Sequence, residues 1–232
     1  MANAGFNAAT DIFGLGESWK VKTCDLNASV NTAECPNRFD DVTARDQYGE
    51  RIAPTATYEL AAAVTTLPAL GSLVTIDGKK VAIAQMTVRT AHGQYPTLEV
   101  TGAQVQSGAA KSVRTYACGT VALVPRKHAQ DILKWLGNAT PDTLTEATFT
   151  FSADVTPSEP KGEIVNHDVS NGRCEASYTH TSGTGAAPTV PTVTGSKVVS
   201  APSSKASPEN DYVTYAFSIT DTLTGTDTPA SP

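Results

Sequence analysis

Side chains of the kinds that ligate metal ions cluster once in this sequence, at His167, Asp168, Cys174 and His180. Imidazole, thiolate and carboxylate groups are the usual zinc ligands. The intervening Asn171-Gly172 is typical of a two-residue hairpin turn. On such a hairpin, His167 and Cys174 would face each other across the strands. A metal held by that pair still needs two further well-placed ligands, and we therefore predict no metal site here.

Other candidate chemistry is weaker still. Asp40, Asp41 and Asp46 are carboxylates of the kind calcium takes, but they lack the regular alternation of oxygen ligands of a dedicated site. His92 and His128 lie near no nucleophile motif, and we expect His128 on the surface. The sequence contains no G-x-S-x-G, no H-E-x-x-H and no phosphate-binding glycine loop. We predict no catalytic, cofactor-binding or metal-binding residues, and a protein that is not an enzyme.

The four cysteines, Cys24, Cys35, Cys118 and Cys174, include no C-x-x-C pair. Without that spacing a structural zinc site is not indicated, and reduced, small, buried side chains are the favoured interpretation. A Cys24–Cys35 disulfide stays open as an alternative, should the protein meet an oxidising exterior.

The clearest structural unit spans residues 67–105. Apolar residues alternate on both sides of Asp77-Gly78, which is the strongest short-range hairpin signal in a sequence. They are Leu73, Ile76, Val81, Ile83 and, less regularly, Met86 and Val88. Residues 98–105 predict the next antiparallel strand. The unit therefore predicts three consecutive strands of an antiparallel sheet.

Four short segments recur in order, at offsets of about 91 to 99 residues. Residues 56–60 return at 147–151, Asp77-Gly78 as Asn171-Gly172, residues 100–105 at 193–198, and residues 115–117 at 214–216. The ordered set predicts a duplicated β unit. The alternative is chance coincidence in a chain rich in Thr, Val and Gly.

One helix is predicted, at residues 125–137, between the two halves. Pro125 stands at its first turn and Gly137 at its end, and Ala129, Ile132, Leu133 and Leu136 have helical spacing. We therefore expect a flexible N-terminal arm at 1–16 and a first β domain at 17–124 with a long loop at 25–55. After that domain come the helix and linker at 125–143 and a second, repeat-related β domain at 144–223. A flexible tail is predicted at 224–232. The predicted fold class is mainly β, with antiparallel sandwich or barrel units.

Composition excludes several classes of function. The formal net charge is −6 over 232 residues, and no long Lys/Arg run is present, so we predict no specific nucleic-acid binding. The first twenty residues lack a basic segment followed by an apolar one, and no eighteen apolar residues run together. We expect a protein that is made in the cytoplasm and does not insert into a membrane.

Residues 17–107 resemble small tail-associated structural proteins of bacteriophages and prophages. The resemblance is carried by the order of a strand, an acidic loop containing Thr32-Ala33-Glu34, the turn at 46–49 and the strand with Ala56-Thr57-Tyr58. The best match is the G-x-x-V-T-I-D-G hairpin at 71–78 followed by the V-T-G strand at 100–102. It implies a β-sandwich or barrel of tail-tube type, with a helix against it, that assembles into rings and has no catalytic residues. The second half, with its longer Pro/Gly loops, departs from the pattern.

The resemblance implies a virion protein, synthesised in the host cytoplasm, that forms threefold or sixfold homo-oligomeric rings and contacts neighbouring virion proteins. DNA would pass through such rings only as cargo. Alternatives are a head decoration or neck protein, and a secreted adhesin or carbohydrate-binding sandwich. The last usually exposes a cluster of aromatic residues, and only Trp19 and Trp135 are available as tryptophans.

Overall fold

The computed structural model describes residues 10–36, 42–105, 112–132, 143–158, 166–183, 197–200, 203–206 and 212–229. These residues are mainly β and antiparallel, as predicted, and contain no helix. In chain order the strands are β1 (Trp19–Pro36), β2 (Val42–Leu60), β3 (Val64–Thr66), β4 (Leu73–Ile76), β5 (Lys79–Ala91), β6 (Thr97–Val105), β7 (Ser112–Tyr116), β8 (Thr120–Leu123), β9 (Leu144–Ser158), β10 (Asn166–Ser182), β11 (Val198–Val199), β12 (Ser203–Ala206), β13 (Val213–Thr222) and β14 (Gly225–Pro229).

Ten of the described strands form one sheet. Its order is β1-β2-β6-β5-β9-β10-β13-β11, with β4 paired to β5 and β12 paired to β13. Two smaller antiparallel pairs, β7 with β14 and β3 with β8, complete the described part of the fold. The predicted division near residues 125–143 stays a prediction, but strands from both sides of it lie in one sheet, because β5 pairs with β9.

The hairpin prediction at Asp77-Gly78 is confirmed. β4 and β5 pair antiparallel, with Ile76 opposite Lys79, and both turn residues have positive φ, 51° and 73°. That conformation is typical of a tight hairpin turn whose twist matches the flanking strands. β6 follows as the next antiparallel strand, also as predicted.

The irregular alternation after Ile83 has a structural cause. The register of β5 against β6 shifts between Ile83 and Gln85, so one extra residue is inserted in β5. Such a bulge moves the following side chains to the opposite parity. The apolar residues on both sides of the bulge are therefore buried in one core, namely Val81 and Ile83 before it and Met86 and Val88 after it.

One apolar core lies against one face of the large sheet. In β9, buried residues alternate with half-buried ones from Ala147 to Ala153, and the short β3–β8 and β7–β14 pairs contribute Tyr116, Val121 and Leu123 to the same core. Its largest fully buried side chains include Tyr58, Tyr178, Phe149, Phe151, Leu70 and Ile83. Tyr178 packs edge-on against Phe149 and stacks on Phe217, with ring centroids 5.3 and 5.2 Å apart.

The helix predicted at 125–137 is wrong in its described part. Residues 125–132 are bends and irregular chain, and residues 133–137 lie outside the described residues. Gln130, placed inside the predicted helix, is buried and hydrogen-bonds the backbone of Val124 with its amide group. The apolar spacing has another use here, because Ile132 anchors the segment in the core.

The long loop predicted at 25–55 is also wrong. Apart from residues 37–41, which lie outside the described residues, this stretch belongs to β1 and β2, which pair with each other over almost their whole length. The probable turn at Asp46–Gly49 lies within β2, where the register shifts opposite Ser29 and Asn31. Apolar alternation gave no signal at the described side chains of the outer part of this pair, because Asn27, Ala28, Ser29, Thr32 and Glu34 are exposed.

The hairpin predicted at Asn171-Gly172 does not exist. β10 runs continuously through both residues, and the register against β9 shifts between Ser170 and Arg173. Asn171 has φ of 54°, so the Asn-Gly pair forms a bulge instead of a turn. A bulge needs the same left-handed conformation that makes Asn-Gly a turn signal, which explains the error.

Both ends of the described part of the chain contribute ordered structure. Ile12 and Phe13, placed in the N-terminal arm, are buried in the core, and Asp11 accepts hydrogen bonds from Tyr58 Oη and from the backbone of Gly16. β14 lies in the stretch placed in the C-terminal tail and pairs with β7. Residues 1–9 and 230–232 lie outside the described residues.

Candidate interaction surfaces

A two-stranded ribbon, residues 27–36 and 42–53 of β1 and β2, is the most distinctive surface feature. The pairing of β2 with β6 runs from Thr55 to Glu59, and just outside it the Ile52 amide donates to Gln104 Oε1 at 2.9 Å. Beyond the Ser29–Arg51 pair the strands continue to Pro36 and Val42. Nine residues at strand spacing carry the ribbon about 30 Å outward.

The described side chains of the ribbon give it little apolar support. Asn27, Ala28, Ser29, Thr32 and Glu34 are exposed. A lone two-stranded hairpin is at best marginally stable in water, since it buries little apolar surface to offset the ordering of its backbone. The ribbon is therefore a surface suited to packing on another molecule.

The edges of the large sheet are a second surface. Among the described strands, β1 pairs only with β2 at one end of the sheet, and β11 and β12 pair only with β13 at the other. β12 is fully exposed, and Val198 in β11 is 64% exposed. Edge strands present unpaired N–H and C=O groups that can take up another strand.

A third surface, which we call the basic patch, consists of His92, Tyr95, Arg126, Lys127 and His128. Lys127 Nζ lies 5.3 Å from the centroid of the Tyr95 ring, and the imidazole centroids of His92 and His128 are 5.5 Å apart. All five side chains are exposed. The surface position predicted for His128 is therefore confirmed.

A buried clamp holds the loop that carries the basic patch. Gln130 Nε2 donates to the Val124 carbonyl at 2.9 Å, and Gln130 Oε1 accepts from the Val124 amide at 3.0 Å. The Thr90 hydroxyl accepts a hydrogen bond from the backbone N–H of Gln130 and donates one to the backbone carbonyl of Gln130. The Gly93 amide also donates to the Lys127 carbonyl, so the β5–β6 turn and the loop are fixed to each other.

The solvent side of the large sheet is polar. One row across it comprises, strand by strand, Thr57, Glu99, Thr87, Thr150, Glu175 and Thr220. Charges near it are paired, since Arg89 bonds Glu146 at 2.8 Å and Lys22 bonds Glu59 at 3.1 Å. This face offers hydroxyls, two ion pairs and the exposed carboxylates of Glu99 and Glu175, which do not amount to a basic stripe for phosphate binding.

The ligand-type cluster of the sequence is not assembled. His167, Cys174 and His180 all lie on β10, so the first two do not face each other across a hairpin. Thirteen residues of strand separate the two histidines by about 40 Å. Among the described residues, no three His, Cys, Asp or Glu side chains group closely enough to hold a metal ion.

Burial controls the titration of this strand. Desolvation lowers the pKa of His180 and of His167, and Asp168 partly opposes the shift at His167. His180 stacks on Phe217 with planes 6° apart, its Nδ1 lies 3.4 Å from Thr143 Oγ1, and its Nε2 has no hydrogen-bond partner. Burial thus favours the neutral form of both imidazoles.

The cysteines occupy unrelated positions. Cys24 and Cys35 lie eleven residues apart on β1, a span of about 36 Å that excludes a disulfide between them within one chain. Cys118 and Cys174 are buried and free, and burial raises the pKa of Cys118 to about 12 and also raises that of Cys174. Asp40, Asp41 and Trp135 lie outside the described residues, whereas Trp19 is buried.

The clamp residues Thr90 and Gln130 were missed from the sequence. Thr90 looked like one more polar residue of a strand, and Gln130 fell within the predicted helix. The one usable signal is a glutamine between Ala129 and Ile132, which the helical spacing places on one apolar face. A buried polar residue needs partners, and here the partners are backbone groups distant in sequence.

No protein-family model matches the sequence, and no curated protein matches it at a significant level. Within the described ranges, no helix has the length and apolar character needed to cross a bilayer.

Proposed function

We propose that this chain is a non-enzymatic structural protein of a phage virion that assembles into rings of the tail, as a tail tube or a tube-like component. The observation that carries the proposal is the ribbon of β1 and β2. A protein that acts alone gains nothing from a strand pair extending about 30 Å beyond its own sheet. A protein that assembles uses such an extension to bury surface between copies.

The edges at the two ends of the strand order, in the part of the chain that the structure describes, support ring formation. β1 and the β11–β12 edge lie at opposite ends of the strand order. Pairing one edge with the other on a neighbouring copy is a heterologous contact, and such contacts generate closed rings when the rotation between copies closes. Strand addition at both ends would also cover edges that are otherwise prone to unspecific pairing.

Within this proposal, the fold is a β-sandwich in which the β3–β8 and β7–β14 pairs cover the apolar face of the large sheet. A duplicated unit would let a threefold ring of this chain match a sixfold ring of another virion protein. The polar face of the sheet suits contact with passing DNA, because hydroxyls and exposed carboxylates do not hold a duplex. Neighbouring virion proteins are the expected partners.

Analytical ultracentrifugation of purified protein tests the proposal. Residues 29–51 are replaced by Asn-Gly in a shortened variant, which keeps the Ala28–Ile52 pair and closes it with a two-residue turn. We expect the full chain to form particles of at least three copies, and the shortened variant to stay folded but to lose assembly beyond single rings. A full chain that sediments as a monomer at every concentration and salt tested would contradict the proposal and favour a decoration protein.

A further inference from the structure

The basic patch carries positive charge that the rest of the described chain does not compensate. Arg126 and Lys127 are adjacent and exposed, and among the described residues no carboxylate forms an ion pair with either of them. By contrast, Lys22, Arg89 and Arg114 each pair with a carboxylate. Two uncompensated cations side by side on a chain whose net charge is −6 are available to an acidic partner.

The backbone beneath the patch is fixed before a partner arrives. The Gln130 side chain bonds both the N–H and the carbonyl of Val124, which closes residues 124–130 into a loop. The Gly93 N–H donates to the Lys127 carbonyl at 3.0 Å and ties this loop to the turn that carries Tyr95. A surface that is already ordered loses less conformational freedom on binding than a mobile one.

Apolar area lies beside the two cations. Tyr95 is 41% exposed and Val124 is 38% exposed. Lys127 Nζ lies 5.3 Å from the centroid of the Tyr95 ring, so the cation and the ring form one continuous surface. Aromatic and arginine side chains are enriched at contacts between proteins. The patch therefore has an apolar component for a partner side chain as well as cations for partner carboxylates.

The same observations favour a polypeptide over a nucleic acid as the partner. Binding to a phosphate backbone draws its affinity from many separate contacts between cations and phosphates. Arg126 and Lys127 supply two, and the polar face of the sheet adds the exposed carboxylates of Glu99 and Glu175. A short acidic segment needs only a few contacts, because a guanidinium can hold one carboxylate through two parallel hydrogen bonds.

We propose that the basic patch is a docking surface for an acidic polypeptide segment of another protein. Carboxylates of that segment bind Arg126 and Lys127, and an aromatic or aliphatic side chain among them packs on Tyr95 and Val124. This inference goes beyond the proposed function and does not depend on ring formation. Within that function, the segment belongs to a neighbouring virion protein.

Fluorescence anisotropy on the full-length chain at low salt tests the docking surface. The probes are a labelled oligoglutamate peptide, the same peptide with one central phenylalanine, and a labelled oligothymidylate of equal charge. Arg126→Glu/Lys127→Glu reverses the patch. Lys80→Glu/Arg173→Glu is the matched control, because it changes the net charge equally and each of its residues hydrogen-bonds a neutral side chain. Circular dichroism first checks that every variant is folded.

We expect the unmodified chain to bind both peptides, and to bind the one with phenylalanine about fivefold more tightly, which is the effect of one aromatic pair. Reversal of the patch weakens both peptides at least about tenfold, because like charges then meet. The control pair weakens them less than about twofold. Tyr95→Ser removes the preference for phenylalanine and leaves the binding of oligoglutamate unchanged.

Three results would overturn the docking surface. They are no binding of either peptide, equal weakening by the two charge-reversed pairs, and tighter binding of the oligothymidylate than of the peptides. The second would show that net charge, and not the patch, attracts the peptide, and the third would assign the patch to nucleic acid. All three leave the ring proposal standing, because ring formation is measured separately.

Discussion

The Thr90 hydroxyl and the backbone of Gln130 exchange two hydrogen bonds inside the core. Thr90 Oγ1 accepts a hydrogen bond from the backbone N–H of Gln130 at 2.9 Å and donates one to the backbone carbonyl of Gln130 at 3.1 Å. Both residues are buried, at 0% and 3% exposure. One strand of the large sheet thereby fixes a loop forty residues further along the chain.

Replacement of Thr90 by valine keeps the shape and removes both bonds. Two buried backbone groups then lack partners, and we expect the free energy of unfolding to fall by about 3 kcal/mol. Denaturant unfolding measures the change. Thr87→Val, on the polar face of the same strand, is the matched control and should shift it by less than about 0.5 kcal/mol. Equal effects of the two substitutions would show that the clamp contributes nothing.

Substitution of Gly172 by alanine should destabilise the fold through overlap. A Cβ at this position would overlap the Tyr116 ring, which packs directly on the Gly172 backbone. Overpacking of a core costs about 1–3 kcal/mol. Thermal unfolding checks this, with Ser170→Ala two residues away as the control. Unchanged stability of Gly172→Ala would mean that Tyr116 does not pack on this bulge.

Acid should weaken the fold through the buried histidines. The pKa of His180 is lowered in the folded state by desolvation, so the unfolded chain binds its proton first as pH falls. The contribution of His180 to the free energy of unfolding is therefore fully present above the ordinary histidine pKa of about 6.5. Below that pH the free energy of unfolding declines, by at most about 1.4 kcal/mol per pH unit for each such group. His167 acts in the same direction.

Unfolding at pH 7.5 and at pH 5.5 tests this dependence. His180→Phe keeps an aromatic ring on Phe217 and should reduce the loss of stability between the two pH values. His128→Gln, at an exposed position, is the control that should leave the loss as it is in the unmodified chain. If His180→Phe loses as much stability between the two pH values as the unmodified chain, His180 does not cause the acid dependence.

The C-terminal strand β14 should depend on an exposed ion pair. Arg114 donates to both carboxylate oxygens of Asp227, at 2.8 and 3.1 Å, and this pairing lowers the pKa of Asp227. Because the folded pKa is depressed, the contribution is present at neutral pH and is lost as the carboxylate protonates in acid. We expect Asp227→Asn to leave global stability nearly unchanged and to speed proteolytic cleavage near residues 225–229.

Limited proteolysis followed by mass spectrometry measures that cleavage. Glu99→Gln removes an exposed carboxylate from the central sheet and is the control for the loss of one charge. Cleavage of β14 at the same rate in both variants would show that strand pairing alone holds it to β7.

Local patterns predicted local structure well and distant structure poorly. Asp77-Gly78 specified its hairpin because turn geometry is encoded in adjacent residues. At Asn171-Gly172 the same signal predicted a hairpin turn where the structure has a bulge, since a bulge and a turn need similar backbone angles. The ribbon could not be predicted from alternation because Asn27, Ala28, Ser29, Thr32 and Glu34 are all exposed and show no alternation of buried and exposed side chains. The clamp could not be predicted because its partners are forty residues apart.

Negative-stain microscopy of the full-length protein is the most direct test of the central claim that this chain assembles through its ribbon. We expect rings with a central opening of roughly duplex width, stacked at higher concentration, and no stacks when residues 29–51 are replaced by Asn-Gly. Compact single particles from the full chain at every concentration, or normal stacks from the shortened variant, would contradict the account.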